Sequence, residues 1–317
     1  MSETDADLGT VAVRGSVPRV SRRVKRRDDR GGVKEALVAY LHLAPAVVVL
    51  GVFAIYPLIR LVDLSLHSQR GLFANRRDVW VGFSQWGDVF GSHDFTNALS
   101  NTVMFVIYTV PLGVILGVLL ALVAHRRLAG MRFFQTVFSS TVASSAAVAS
   151  VVFYSLVNSE VGYFRSVSWL KWLNTSDPST ALFAVSTSAI WQNLGLTFVI
   201  VLAGMQAIPS EVNEAATLDG DGPIRRLFRV TLPLLGPTLM FLAVVLTVFA
   251  FQAYAQIDIM TKGGPQGSTE TLVYRIVETQ FDQPNTAAVM AIGLFGLTFL
   301  ITLVQFSILD RRVHYGD

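Results

Sequence analysis

The chain has 317 residues and a formal net charge of +3, with 52% of its residues hydrophobic and 15% charged. Soluble domains usually carry about 25% charged residues, so this balance excludes an ordinary soluble globular domain and points to a membrane protein. The absence of cysteine excludes disulfides, a thiolate nucleophile and a zinc–thiolate centre.

Residues 1–34 hold nine of the 25 Lys and Arg, six of them in the run from Arg22 to Arg30. An apolar segment follows at once, so this reads as a disordered cytoplasmic tail touching anionic headgroups rather than a nucleic-acid site. Residues 35–317 read as one membrane domain. A hydrocarbon core takes about 20 helical residues to cross. Six stretches are long enough: Leu37–Leu61, Ala98–Ala124, Phe133–Val157, Ala181–Ala207, Pro237–Ile257 and Thr286–Leu309. The first is too long for a secretory signal and lacks a small-residue cleavage site. Pro45, Pro57 and Pro111 are expected to kink their helices.

The connections fix an orientation. Arg126, Arg127, Arg132, Arg225, Arg226, Arg229, Arg311 and Arg312 fall on the same side as the basic tail. Both termini are therefore expected in the cytoplasm. The fold class is an all-α integral membrane protein of six transmembrane helices, N-in and C-in.

The last five spans contain no Asp, Glu, Lys, Arg or His. A carboxylate relay for an ion gradient is thus missing. No phosphate-cradling G-x-x-x-x-G-K-[ST] loop occurs, and no nucleophilic constellation or metal motif accompanies it. The chain reads as no enzyme, with no catalytic residue, no metal and no cofactor of its own. Work for uphill transport has to arrive from another subunit.

The charged loop 208–236, between the fourth and fifth spans, reads as two short helices. Ser210 is placed to cap the first, Asp219-Gly220 stops it, and Pro223 opens the second. Ala215 and Ala216 permit close approach of another backbone, while Glu214 and Asp219 offer acceptors. Ile224, Leu227, Phe228 and Val230 form an apolar face expected to pack beneath the bundle.

Glu214-Ala215-Ala216, three residues, Gly220, nine residues, Val230, one residue, Leu232-Pro233: this spacing resembles the EAA signature of ABC importer permeases, with valine for isoleucine. From Leu37 onward the chain is similar to the carbohydrate branch of that family. The segments 44–59, 101–105, 202–209, 261–269 and 305–315 carry the likeness, the last two resembling glycerol-3-phosphate permeases most. The resemblance implies a coupling helix in which Glu214, Ala215, Ala216, Leu218, Asp219, Gly220 and Pro233 engage a cytosolic ATPase. It also implies a second homologous permease, two ATP-binding cassette subunits that bind ATP and Mg, an extracytoplasmic solute-binding protein and a bacterial inner membrane.

A polar solute needs uncharged hydrogen-bonding groups and aromatics. The fourth and fifth spans offer Trp191, Gln192, Asn193, Gly195, Phe249, Gln252, Tyr254 and Gln256; Asn101 reads as an interhelical bond. Sugars suit this set. A phosphate-bearing solute meets no Lys or Arg there, and the alternatives stay open: a sugar or a glycerophosphate-like solute. A stand-alone secondary carrier is the rival reading. It needs a buried coupling-ion site and, commonly, inverted repeats with broken helices, and the sequence shows no clear sign of either.

Overall fold

The structure is a computed structural model, and it describes residues 32–70, 77–125, 130–168, 170 and 172–310. The basic tail through residue 31 and the terminal Arg311 and Arg312 lie outside the described residues. Two compact units meet in sequence at Tyr56–Pro57.

The first unit is helical from its described start. Helix α1 covers Gly32–Leu50, with Pro45 inside it, and passes into a π-turn over Gly51–Ile55. The chain continues as α2, Tyr56–Ser65, so residues 40–65 form one apolar helical stretch long enough to cross a membrane.

The second unit, from Pro57 on, takes in α2 after its first residue and all the remaining elements. Strands β1 (His67–Arg70) and β2 (Arg77–Trp80) pair antiparallel, with His67 opposite Trp80. Helix α3 (Ser84–Phe90) leads into α4 (His93–Ala124), 32 residues and about 48 Å long at 1.5 Å per residue. Ser92 caps α4 through its hydroxyl, which accepts from the Phe95 amide at 3.2 Å. Pro111 lies inside this helix without ending it.

The third predicted span is not one helix. It is α5 (Met131–Ser139), a 3₁₀ turn over Ser140–Ala143, and α6 (Ala146–Val157), the two halves bent by 108°. The run of Ser139, Ser140, Thr141, Ser144 and Ser145 explains the break. These hydroxyls bond to local backbone in place of the helical ladder; Ser140 and Thr141 donate to the Val137 and Phe138 carbonyls, and Ser145 accepts from the Val148 amide.

Helix α7 (Ala181–Gln206) matches the fourth predicted span. Before it, the Ser179 hydroxyl and amide donate to the Asp177 carboxylate and hold its pKa below the ordinary value. The short α8 (Ser210–Leu218) and α9 (Pro223–Arg226) follow, then a π-turn over Leu227–Thr231 and α10 (Leu232–Leu234). Helix α11 (Gly236–Phe251) leaves this piece at 69°. The fifth predicted span is broken as well: Gln252–Tyr254 are non-helical, and α12 (Ala255–Met260) resumes beyond them. Helices α13 (Leu272–Thr279) and α14 (Pro284–Asp310) are the last described elements. Among the described residues, four helices are long and apolar enough to cross a membrane, or up to six if each bent pair is one span.

The core is built on α4 and α7, which run side by side in the same direction. Phe105 clusters with Val185 and Ile257, and further along Ala121 clusters with Val201 and Leu242. Gly117 allows the closest approach: a Cβ there would meet the Thr197 side chain at 2.2 Å. A third cluster joins Val89, Phe95, Leu272 and Val289. Asn285 ties the start of α14 to the end of α2, donating to the carbonyls of Leu64 at 3.2 Å and His67 at 2.7 Å.

Candidate functional site

The hairpin of α8 and α9 lies at the C-terminal ends of α4 and α7, where Leu122, His125, Met205 and Ile208 face Asn213, Pro223 and Arg226 across a hollow of about 500 Å³. Pro209, not Ser210, is the N-cap residue, and the Ser210 hydroxyl makes no capping bond. Ser210 instead opens the helix as its first residue. Gly220 ends it with φ +79°, and the Asp221 amide reaches back to the Ala216 carbonyl at 3.0 Å, closing the left-handed turn that glycine favours.

Glu214, Ala215, Leu218, Asp219, Gly220 and Pro233 are exposed, while Ala216 is buried. Ala216 packs within the protein, and of the two alanines it is Ala215 that lies at the surface. Ile224 and Phe228 are 73% and 67% exposed, which corrects the expectation that they pack beneath the bundle; Leu227 and Val230 are half-buried. With Leu218, 89% exposed, they leave an apolar and acidic rim on the hairpin. A shallow hollow of about 520 Å³ beside it is lined by Ser210, Asn213, Glu214, Thr217, Leu218 and Arg226.

The two helix breaks meet at one cavity of about 240 Å³. Ala146, the first residue of α6, lines it from the third predicted span; Gln252, Ala253, Ala255 and Gln256 line it from the break in the fifth. Gln192 and Asn193 of α7, Phe249 of α11 and Thr109 of α4 also face it. Irregular backbone at membrane depth is tolerated where it lines a cavity or is covered by protein. Gln256 is buried, and its Nε2 donates to Gln192 Oε1 at 2.9 Å, bridging α12 and α7. The lining carries amides, a hydroxyl and one aromatic ring, and no charged side chain.

Five of the eight residues expected on a solute path, Gln192, Asn193, Phe249, Gln252 and Gln256, come together here, and three do not. Trp191 packs on Phe153 with ring centroids 5.8 Å apart, and Tyr254 stacks on Tyr274 at 5.8 Å. Gly195 is buried against the break in the third span; a Cβ there would meet Thr141 Oγ1 at 2.2 Å and the Phe138 carbonyl at 2.7 Å. Thr109 and Ala146 are lining residues that sequence reasoning missed, although the serine-rich run was a signal for the second.

The opposite end of α4 clamps the loop 261–271. Asn97 and Asn101 both donate to the Gly267 carbonyl at 2.9 Å, and Asn101 also donates to that of Glu270 at 3.0 Å. Asn101 thus braces a loop rather than bonding between spans. Thr102 accepts from the Leu272 amide at 2.8 Å, and Arg275 pairs with Asp94. Burial and the nearby Glu278 and Asp258 carboxylates push the Tyr274 phenol up to about 12. Asn101→Ala is expected to lower stability by about 1–3 kcal/mol, because two carbonyl acceptors lose a donor. A lowered thermal-unfolding midpoint with Asn101→Ala checks this; an unshifted midpoint contradicts the clamp.

A bundle of long apolar helices around an uncharged polar cavity at two helix breaks defines a membrane permease for a polar solute. Among the described residues no group of three or more His, Cys, Asp or Glu could hold a metal ion. The chain belongs to the binding-protein-dependent transport system inner membrane component family, whose model matches residues 83–315. This is a family of transport subunits, not of enzymes.

The chain is 32% identical over 288 residues to the sn-glycerol-3-phosphate transport system permease protein UgpA of Agrobacterium fabrum, covering 88% of this chain and 97% of that one. It is 31% identical over 283 residues to the UgpA protein of Escherichia coli strain UTI89, covering 87% and 95%. The fold matches a chain of a bacterial ABC transporter involved in import of the acidic polysaccharide alginate, with a TM-score of 0.72 at 20% identity, covering 88% and 97%. A second structure of a bacterial alginate transporter, in complex with an alginate pentasaccharide-bound periplasmic protein, matches with the same score over 90% and 98%.

Proposed function

We propose that this chain is the translocating subunit of an ATP-driven importer, taking up a sugar or a glycerol-3-phosphate-like solute handed over by an external binding protein. The observation that carries this is the uncharged amide cavity where two broken spans meet, in a chain about a third identical to glycerol-3-phosphate permeases. Residues 1–34 form a cytoplasmic tail and residues 35–317 six spans of a bacterial inner membrane, with both termini on its cytoplasmic side. The hairpin of α8 and α9 then faces the cytoplasm and seats in an ATPase. A second permease and two ATPases complete the assembly, and ATP and Mg are bound there. ATPase closure moves the hairpins and rocks the spans between inward- and outward-facing states.

Broken helices also occur in secondary carriers, and both bends favour that rival more than the sequence did. The cavity lining, however, offers no ionisable group to couple an ion. Reconstitution separates the two: uptake requiring ATP, the ATPases and the binding protein is the expected result, and gradient-driven uptake by the chain alone sinks the importer reading. Within the assembled importer, Gln256→Leu is expected to reduce uptake about tenfold without disassembly, since an unpaired amide or lost hydroxyl contact is worth about 1–3 kcal/mol. Unchanged uptake by that variant removes the cavity from the solute path. Because the chain has no cysteine, single introduced cysteines probed from either side test the six-span orientation directly.

A further inference from the structure

Four acidic residues lie in the segment 208–236, and they are not alike. Glu211, Glu214 and Asp219 are exposed, and none of them has an ion-pair partner among the described residues. Asp221 has turned inward: its side chain is 9% exposed, its Oδ1 lies 2.9 Å from Arg225 Nε and 3.9 Å from Arg229 Nη1, and both arginines remain more than 60% exposed. The same residue closes the turn after α8 through its amide. One turn further, Arg226 Nη1 donates to Thr217 Oγ1 at 3.2 Å, linking α9 directly to α8.

The covalent connection between the two helices is Asp219-Gly220-Asp221-Gly222. Two glycines in four residues make it the softest part of the segment, because glycine restricts its backbone least. A push on α8 would be absorbed there unless something fixed the angle to α9. The Asp221 carboxylate, set just before the first turn of α9, also suits the positive end of that helix. Arg225 and Arg229 continue along the helical piece that runs through the π-turn to Leu234 and on to α11.

We propose that Asp221 is a positioning residue: clasped by Arg225 and Arg229, it stiffens the α8–α9 hairpin so that displacement of α8 reaches the spans. The other three acids are left to face a partner. This rests on the coupling role proposed for the hairpin. It predicts a division that docking alone does not, because removing the clasp leaves the outward surface of α8 intact.

The test uses the whole assembled complex in proteoliposomes with its binding protein and ATP. Asp221→Ala, and separately Arg225→Ala with Arg229→Ala, are expected to keep ATPase co-purification and melting temperature at wild-type values. Uptake per ATP hydrolysed is expected to fall about tenfold, the scale of an ordinary coupling free energy. Combining all three substitutions is expected to add no further loss, as for groups acting as one unit, and Asp221→Glu is expected to restore much of the coupling. Wild-type uptake per ATP in Asp221→Ala overturns the proposal. So does a loss of ATPase association that parallels the loss of uptake, which makes Asp221 a docking contact. Failure of the underlying coupling role shows differently: Glu214→Arg would then leave ATPase association untouched.

Discussion

Gly220→Pro is expected to abolish co-purification of the ATPase and to lower solute uptake about a hundredfold, the upper range of a coupling between two sites. The chain leaves α8 at Gly220 with φ +79°, a region closed to proline, whose ring holds φ near −65°. Proline also lacks the N–H that Gly220 donates to the Thr217 carbonyl at 3.1 Å, and it disfavours the helical backbone of Asp219. The turn cannot form, so α8 and α9 lose their fixed relation while the apolar spans remain long enough to insert. Gly220→Ala is the milder control, expected to cost about 1–2 kcal/mol for the left-handed geometry alone. Glu214→Arg, an exposed charge reversal, is expected to block association without disturbing the turn. Normal association and transport in both Gly220→Pro and Glu214→Arg would falsify the coupling role.

Gly195→Val is expected to be the most damaging substitution within the membrane part, lowering stability by about 3 kcal/mol or more. Two of the three atoms that a Cβ would strike are backbone, the Phe138 carbonyl at 2.7 Å and the Val142 amide at 3.0 Å, and backbone cannot swing aside as a side chain can. A native stability of about 5–15 kcal/mol leaves little room for such a loss. The measurable outcome is a collapse in the yield of monodisperse protein in detergent, with Gly195→Ala intermediate. Wild-type yield and melting of the valine variant would show that the break in the third span is not seated on this glycine.

Gly195 also marks the limit of what the sequence discloses. An isolated glycine near amides and a tryptophan fits a solute path, and only the tertiary contact with Thr141 reveals that it makes room for another backbone. The unbroken helices α4, α7 and α14 were legible from apolar length alone, to within a few residues at their ends. The broken ones were not, because hydropathy counts apolar residues and is blind to where hydroxyls replace the helical ladder; Ser140, Thr141 and Ser145 are invisible to it. The turn at Gly220 and the proline start of α9 were legible because each depends on local chemistry. The inward turn of Asp221 and the exposure of Ile224 and Phe228 were not, since both depend on what lies across space.

At Gly117 the parallel helices α4 and α7 lie so close that a Cβ on α4 would meet the Thr197 side chain of α7 at 2.2 Å. Helices α4 and α7 therefore behave as one strut, with the hairpin at one end and, at the other, the loop gripped by Asn97 and Asn101. On the importer reading proposed above, a tilt imposed at the first end would reach the second, about 48 Å away along α4. On that reading, such a strut would keep the hand-over of solute on one face of the membrane in step with the stroke of the motor on the other.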